Sequence, residues 1–424
     1  MYYNMTYFFI LGNNPTLSIA EILNRLNLKK EDVNYVSPQV MVIDFKADID
    51  AKRVQEILGG TIKIGKIIKR VKLDQTELLI NEISQLIFSQ LRKIYFGFSF
   101  YNLTNDDLVA QYKSKYSKLQ KEVALEIKNK LKKEGKSSRW VSSGDNLTLS
   151  SVIVEQNKLL DNGVEAVFLV TSENDALMGQ TITCQDFKQY SWFDFGRPDR
   201  IIEKGMLPPK IAKIMINLAT SAGLNKKSAL LDPFCGAGTI LSQAFLMGFR
   251  NIIGSDKNKG AVNGSKNNLK WLAEKINNNL KRIIVFSTDV RDLAKKIQQE
   301  SIDAIITEPY LGPLNFKNNE SEKMIKELSQ LYLSAFRNFK KILKNNGCVV
   351  IVFPIFFTFS GKTKNTLHFL PILEELKKNW AVEEFFPAGR IDKNPIAKVT
   401  ERGSIIYSRE DQRVWREIFI FKKK

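Results

Sequence analysis

The chain has 424 residues, 44% of them hydrophobic, and its 64 Lys+Arg against 45 Asp+Glu give a net charge of +19. That length accommodates two or three domains of ~100–200 residues, and the basic excess favours a polyanionic partner, most simply nucleic acid, over a merely basic soluble surface. Three scattered cysteines (Cys184, Cys235, Cys348), no C-x-x-C and a single histidine, His368, exclude a zinc cluster or a disulfide framework.

The apolar run 349–359 is about half the ~20 residues needed to cross a bilayer. No basic n-region precedes the short apolar N-terminal stretch, so no signal peptide is expected. The expected setting is cytoplasmic, reducing and away from membranes, with no metal. His368 is read as structural.

Residues 6–11 read as a strand, followed by turn chemistry at Gly12-Asn13-Asn14-Pro15. Ile19, Ile22, Leu23 and Leu26 mark one face of a helix, Val40–Phe45 a second strand and Val54–Leu58 part of another helix. This β-α-β-α start suits a small domain over 1–60. In the next block, 61–190, Lys93–Tyr101 is strand-like. Leu119, Val123, Ile127 and Leu131 recur at helical spacing within Ser117–Lys133, and Gly163–Val170 and Leu177–Cys184 read as paired strands. Within Lys113–Arg139 ten basic residues face three acidic ones, Glu122, Glu126 and Glu134. This is either a solvated helix face or an RNA-contacting surface. The crowding of Lys113, Lys115, Lys118 and Lys121 beside Tyr112 and Tyr116 favours the second.

Residues 185–209 connect the halves, and Pro208-Pro209 introduce an apolar helix over Ile211–Leu218. From there strands at 229–232, 251–255, 283–287, 303–307 and 347–353 alternate with helices, which predicts a doubly wound parallel sheet. An antiparallel pair near 381–386 and 415–421 closes this domain, 191–424.

The chemistry concentrates at the strand ends. Asp232 ends an apolar run and is followed by Gly236-Ala237-Gly238 and a helix, the start of a nucleotide-binding βα unit. Leu241 stands where a dinucleotide fingerprint has its third glycine, and a carboxylate at Asp232 would repel pyrophosphate. It suits S-adenosyl-L-methionine, whose amino-acid tail is cationic. Asp256 ends the second strand, where an acid accepts from ribose hydroxyls or caps a helix. Asp289 closes the third and suits an adenine amino group, with Asp292 as a possible substitute. The fourth strand runs into Thr307-Glu308-Pro309-Tyr310. An exocyclic amine on a base is a poor nucleophile because its lone pair is delocalised. Acceptors that hold its hydrogens and an aromatic ring that stacks on the flipped base would orient it. None of the cysteines stands where a nucleophile for pyrimidine methylation belongs.

Asp232–Thr239 resembles motif I of the class I methyltransferases, in the form Asp-Pro-Phe-Cys-Gly-x-Gly-Thr typical of RNA amino-methyltransferases. Thr307–Tyr310 resembles their motif IV, with Thr307 in place of the acid and Glu308 in place of the first proline. With Gly205–Lys210, Asp256, Asp289 and the closing stretch Tyr407–Glu417, the chain resembles the tRNA guanine-N2 methyltransferases. That family joins a ferredoxin-like region and a THUMP RNA-binding domain to a Rossmann-like methyltransferase. The resemblance is strongest over 197–353. It implies methylation of a guanosine N2 amine in tRNA, position ten of the core in the usual case. It assigns Asp232, Phe234, Cys235, Gly236, Ala237, Gly238, Thr239, Asp256, Lys257, Asp289 and Val290 to S-adenosyl-L-methionine, and Thr307, Glu308, Pro309 and Tyr310 to catalysis. Lys113, Lys115, Lys118, Lys121 and Arg197 would contact tRNA, with the protein a monomer or joined by a small accessory subunit. The rival readings are a DNA N4-cytosine or N6-adenine methyltransferase and a non-catalytic RNA-binding protein that keeps the fold.

Overall fold

A computed structural model describes residues 5–87, 93–200, 206–220, 223–278, 280, 283–313, 321–360, 363–367, 370–386, 396, 398–408 and 414–424. The chain forms two compact units, one of residues 1–19, 28–187 and 393–397, the other of 20–27, 188–392 and 398–424. Gly205, His368 and residues 409–413 of the closing motif lie outside the described residues.

The first unit is built on an eight-stranded sheet. Its strands are β1 (Met5–Leu11), β2 (Val33–Val36), β3 (Val40–Phe45), β4 (Thr61–Lys72), β5 (Lys93–Asn102), β6 (Ser137–Val141), β7 (Gly163–Ser172) and β8 (Asp175–Cys184), in the order β2-β3-β1-β4-β8-β7-β5-β6. The expected strands are present, and β7 and β8 are paired as anticipated, in antiparallel register. β4 was not anticipated. Its lysine-rich sequence hides a central strand that pairs with both β1 and β8. Helix α1 (Pro15–Arg25) begins in the first unit's residues and ends in the second's, while helices α2 (Ala51–Ile57), α3 (Thr76–Ile87), α4 (Leu108–Gln111), α5 (Lys113–Lys133) and α6 (Ser151–Gln156) accompany these strands. α5 buries Leu119, Val123, Ile127 and Leu131 against Phe96, Phe100 and Phe168 of the sheet, as its spacing requires.

One of the β4 lysines is inside the unit. The ammonium of Lys63 is buried 2.5 Å from Glu165 on β7 and donates to the Leu149 carbonyl at 2.7 Å. Glu165 also accepts from Ser99 on β5 at 2.6 Å and Thr181 on β8 at 2.7 Å. Four strands therefore share one buried carboxylate, with donors to both of its oxygens.

α7 (Phe187–Phe195) follows where a plain connector was expected. The second unit carries the doubly wound sheet: β9 (Ala229–Asp232), β10 (Asn251–Asp256), β11 (Ile283–Ser287), β12 (Ile302–Thr307), β13 (Leu343–Ser360), β14 (Thr363–Leu367), β15 (Trp380–Val382), β16 (Ile405–Tyr407) and β17 (Val414–Lys423). The order is β11-β10-β9-β12-β13-β17-β15, with β14 beside β13 and β16 beside β17. The first five strands of this order pair parallel and β17 pairs antiparallel to β13. Helices α8 (Pro209–Ala219), α9 (Thr239–Leu246), α10 (Lys259–Lys275), α11 (Ser321–Ile342) and α12 (Leu370–Lys377) complete it. α11 packs Tyr332, Phe336 and Phe339 onto a core with Phe353, Phe419 and Phe421. Among the described residues no helix is long and apolar enough to cross a membrane.

Removing Lys63 strands Glu165 without its counter-charge. Lys63→Met should destabilise the protein by about 3–5 kcal/mol, read from the denaturant midpoint. Lys63→Met combined with Glu165→Leu should recover much of the loss.

Candidate active site

The parallel strands of the second unit end together, and their carboxyl ends are where an open α/β sheet binds ligands. Asp232, at the end of β9, is 2% exposed. Its Oδ1 accepts the Thr307 hydroxyl from β12 at 2.7 Å and the Phe234 N–H at 3.2 Å. Burial pushes its carboxyl up to about 7 despite those two bonds, with Asp256 and Glu308 adding repulsion.

The loop after Asp232 turns through two positive φ angles, 49° at Gly236 and 82° at Gly238. A Cβ on Gly238 would run into Ser265, whereas one on Gly236 would meet nothing within 4 Å. The loop is closed on one side and open on the other, which admits close approach of a ligand to the backbone. Asp256, ending β10, accepts the Gly236 N–H at 3.0 Å and the Asn258 N–H at 2.9 Å. Asn268 on α10 donates to the Ala237 carbonyl at 2.9 Å. Arg197 is buried and donates to Thr239 at 2.8 Å, so the structure has it bracing this loop instead of offering it to RNA. The Cys235 thiol is buried, and burial raises its pKa far from any nucleophilic role.

Asp289 caps the turn Val290–Lys295. Arg291 engages both of its oxygens, at 2.9 and 2.7 Å, and holds the carboxyl at about 2. Val290 is buried and Lys257 is exposed.

Thr307 is fully buried, and its hydroxyl is committed to Asp232. The replacement of the usual acid by threonine therefore removes a third carboxylate from a crowded spot and supplies Asp232 with a donor. Glu308 extends beyond it. Its carboxylate meets Arg416 of β17, with Nε 2.5 Å from Oε1 and Nη2 3.4 Å from Oε2. Pro309 is buried, and the Tyr310 ring is half exposed while its carbonyl accepts from Tyr332 of α11 at 2.7 Å. Arg416 escaped the sequence reading, though it stands in the closing stretch Tyr407–Glu417. Nothing in its local sequence points to a partner 108 residues away. In the first unit, Lys113, Lys118 and Lys121 are exposed along α5, Lys118 3.7 Å from Glu122 one turn on, while Lys115 is paired with Glu173 at 2.7 Å. Among the described residues no group of His, Cys, Asp or Glu could hold a metal ion.

The family model described as RMKL-like, methyltransferase domain, matches residues 198–360. The tRNA (guanine(10)-N2)-dimethyltransferase of Methanothermobacter thermautotrophicus is 34% identical over 138 residues, 32% of this chain and 37% of that one. Its counterpart from Methanocaldococcus jannaschii is 30% identical over 192 residues, 44% and 49% of the two chains. The probable tRNA (guanine(10)-N2)-dimethyltransferase of Methanothermococcus thermolithotrophicus is 30% identical over 146 residues, covering 33% of this chain and 77% of that protein. The chain belongs to the tRNA guanine-N2 methyltransferase family. The match spans less than half the length of the first two relatives. In fold, this family member is similar over 99% of its length to TrmN from Thermus thermophilus, with a TM-score of 0.54 at 14% identity. It is similarly close to a possible methylase from Clostridium difficile 630, with a TM-score of 0.50 at 13% identity and 98% of each chain covered.

Because the carboxyl of Asp232 titrates higher folded than unfolded, the folded state holds the extra proton. Its stabilising contribution is complete below pH ~4 and is lost as pH rises to about 7, by on the order of 4 kcal/mol. Subtracting the pH–stability curve of Asp232→Asn from that of the wild type should reveal this fall in denaturant midpoints. A difference curve flat from pH 4 to 7 would contradict it.

Proposed function

We propose that the protein transfers a methyl group from S-adenosyl-L-methionine to the exocyclic N2 amine of a guanosine in tRNA, position ten of the core. The observation that carries this reading is the hydrogen bond from Thr307 to Asp232. It joins the glycine loop to Glu308-Pro309-Tyr310, so a cofactor site and a base site adjoin. The names of the matched relatives support the substrate.

The residues present fit the cofactor. Asp232 offers a buried carboxylate to a cationic tail, and the open side of Gly236 offers backbone to it. Asp256 suits the ribose, and Asp289 with Val290 the adenine. Phe234, Cys235, Ala237, Gly238, Thr239 and Lys257 complete the cradle. When bound, this group supplies an electrophilic methyl. The protein's own task is to present the amine. Tyr310 stacks on the extruded base through its half-exposed ring. Glu308 accepts an N–H of the amine, turns its lone pair outward and receives its proton as the new bond forms. Residues 1–190, the ferredoxin-like and THUMP-like part of the expected organisation, would dock folded tRNA through Lys113, Lys118 and Lys121 of α5, leaving 191–424 to the chemistry.

Incubation of the purified protein with S-adenosyl-L-methionine and unmodified tRNA should yield N2-methylated guanosine by nucleoside mass spectrometry. Transfer to DNA adenine or cytosine instead would favour the DNA enzyme, and binding of tRNA without transfer would favour the RNA-binding protein. tRNA affinity should fall steeply with salt. Replacing Lys113, Lys118 and Lys121 by glutamine should lower the log–log salt slope by roughly two to three, with little effect on cofactor binding.

A further inference from the structure

We propose that Glu308 and Arg416 form a base-reading pair in which Arg416 presents Glu308 to the target as an ionised carboxylate, and that this selects guanine. The inference rests on the methyl-transfer reading above and deepens it. Thr307 turns its hydroxyl proton inward to Asp232, so Glu308 is the carboxylate of the motif that can accept from the edge of a base stacked on Tyr310.

Guanine presents two adjacent donors on its Watson–Crick edge, N1–H and the N2 amine. Adenine and cytosine each present an amine donor beside a ring-nitrogen acceptor. An ionised carboxylate only accepts, whereas a protonated carboxyl or an amide offers one donor and one acceptor. The charge at position 308 therefore decides which edge is complemented. Burial works against that charge by raising the Glu308 pKa, and Arg416, through its charge and its hydrogen bonds, opposes the rise. Among the described residues, the ionisable groups bearing on Glu308 are Arg416 on β17, Asp232 on β9 and Tyr332 on α11. Of these only Arg416 is cationic, and a guanidinium does not deprotonate in this range.

Arg416 is itself held in place. It is 5% exposed, and its strand is paired on both sides, opposite Pro354 of β13 and Tyr407 of β16. It contacts both carboxylate oxygens, at 2.5 and 3.4 Å. A carboxylate has about four lone-pair sites, so each oxygen keeps capacity for one guanine donor.

The test compares two tRNA transcripts, one with guanosine and one with 2-aminopurine at position ten. 2-Aminopurine keeps the N2 amine but has a bare acceptor at N1. The wild type should prefer guanosine by roughly ten- to a hundredfold in kcat/KM, the usual penalty of facing a buried acceptor with another acceptor. In Glu308→Gln the amide can donate to N1 and accept from the amine, so the preference should shrink to within about threefold or invert. Arg416→Lys should keep the wild-type preference. Arg416→Met should move toward the Glu308→Gln ratio, and further at pH 6 than at pH 8.5, because burial then raises the Glu308 pKa unopposed. A ratio of two substrates on one protein cancels the titration of Asp232 and general losses of stability. Equal losses on both transcripts in Glu308→Gln would overturn the reading of the base by Glu308. A wild-type ratio in Arg416→Met at pH 6 would overturn the role of Arg416; should that variant not fold, a ratio in Glu308→Gln unchanged from that of Arg416→Lys overturns the pair. Failure of the wild type to methylate either transcript would overturn the methyl-transfer reading and this inference with it. Transfer to guanosine with an unmoved ratio would sink the inference alone.

Discussion

A carboxylate buried at the end of β9 constrains everything around it. Asp232 is almost without solvent, and Asp256 and Glu308 both repel its charge. Such a group is tolerated only with donors at hand. It takes them from the Phe234 backbone and from Thr307 on the adjoining strand. Thr307 stands where the resembled motif has an acid, and it gives Asp232 a donor in place of a further negative charge. A carboxylate at 307 would stand against Asp232 with nothing to separate the two charges. With the hydroxyl spent inward, the outward acceptor moves one residue on, to Glu308. Glu308 in turn requires a fixed cation, and Arg416 provides it from the far end of the chain.

The glycine loop is held by the same economy of polar contacts. Asp256 fastens Gly236, Asn268 fastens Ala237 and Arg197 fastens Thr239. Each bond reaches the loop from a different segment, so its backbone is shaped before any ligand arrives. Preorganisation of this kind lowers the ordering cost that binding would otherwise carry. It also explains why this basic residue can be buried: Arg197 serves the loop, and its charge is turned inward.

The two units contain ion pairs that differ in kind. Lys63 and Glu165 are sealed, and the carboxylate has donors on both oxygens within the unit. Such a pair adds little net stability over an apolar replacement, but removal of one partner is severe. Arg416 and Glu308 leave the carboxylate 13% exposed and with lone pairs to spare. The first arrangement registers four strands; the second points charge at a place where a ligand can take it up.

Much of the second unit was legible in the chain itself. Its buried parallel strands are short apolar runs, and their ends carry the acids, so periodicity and position located Asp232, Asp256, Asp289 and Glu308 together. The first unit was read less completely. β4 is rich in lysine, and a strand whose polar residues are partly buried by partners elsewhere carries no clean alternation. The α5 lysines could be found by counting, but that Lys115 is neutralised by Glu173 could not. Sequence determined which chemistry the strand ends could offer, because residue type and local spacing are properties of the chain. Only tertiary structure decided how those groups are charged and where they face. The Thr307–Asp232, Arg197–Thr239 and Arg416–Glu308 contacts each join distant segments, and burial, which sets the charge of a carboxyl, exists only once those segments have packed.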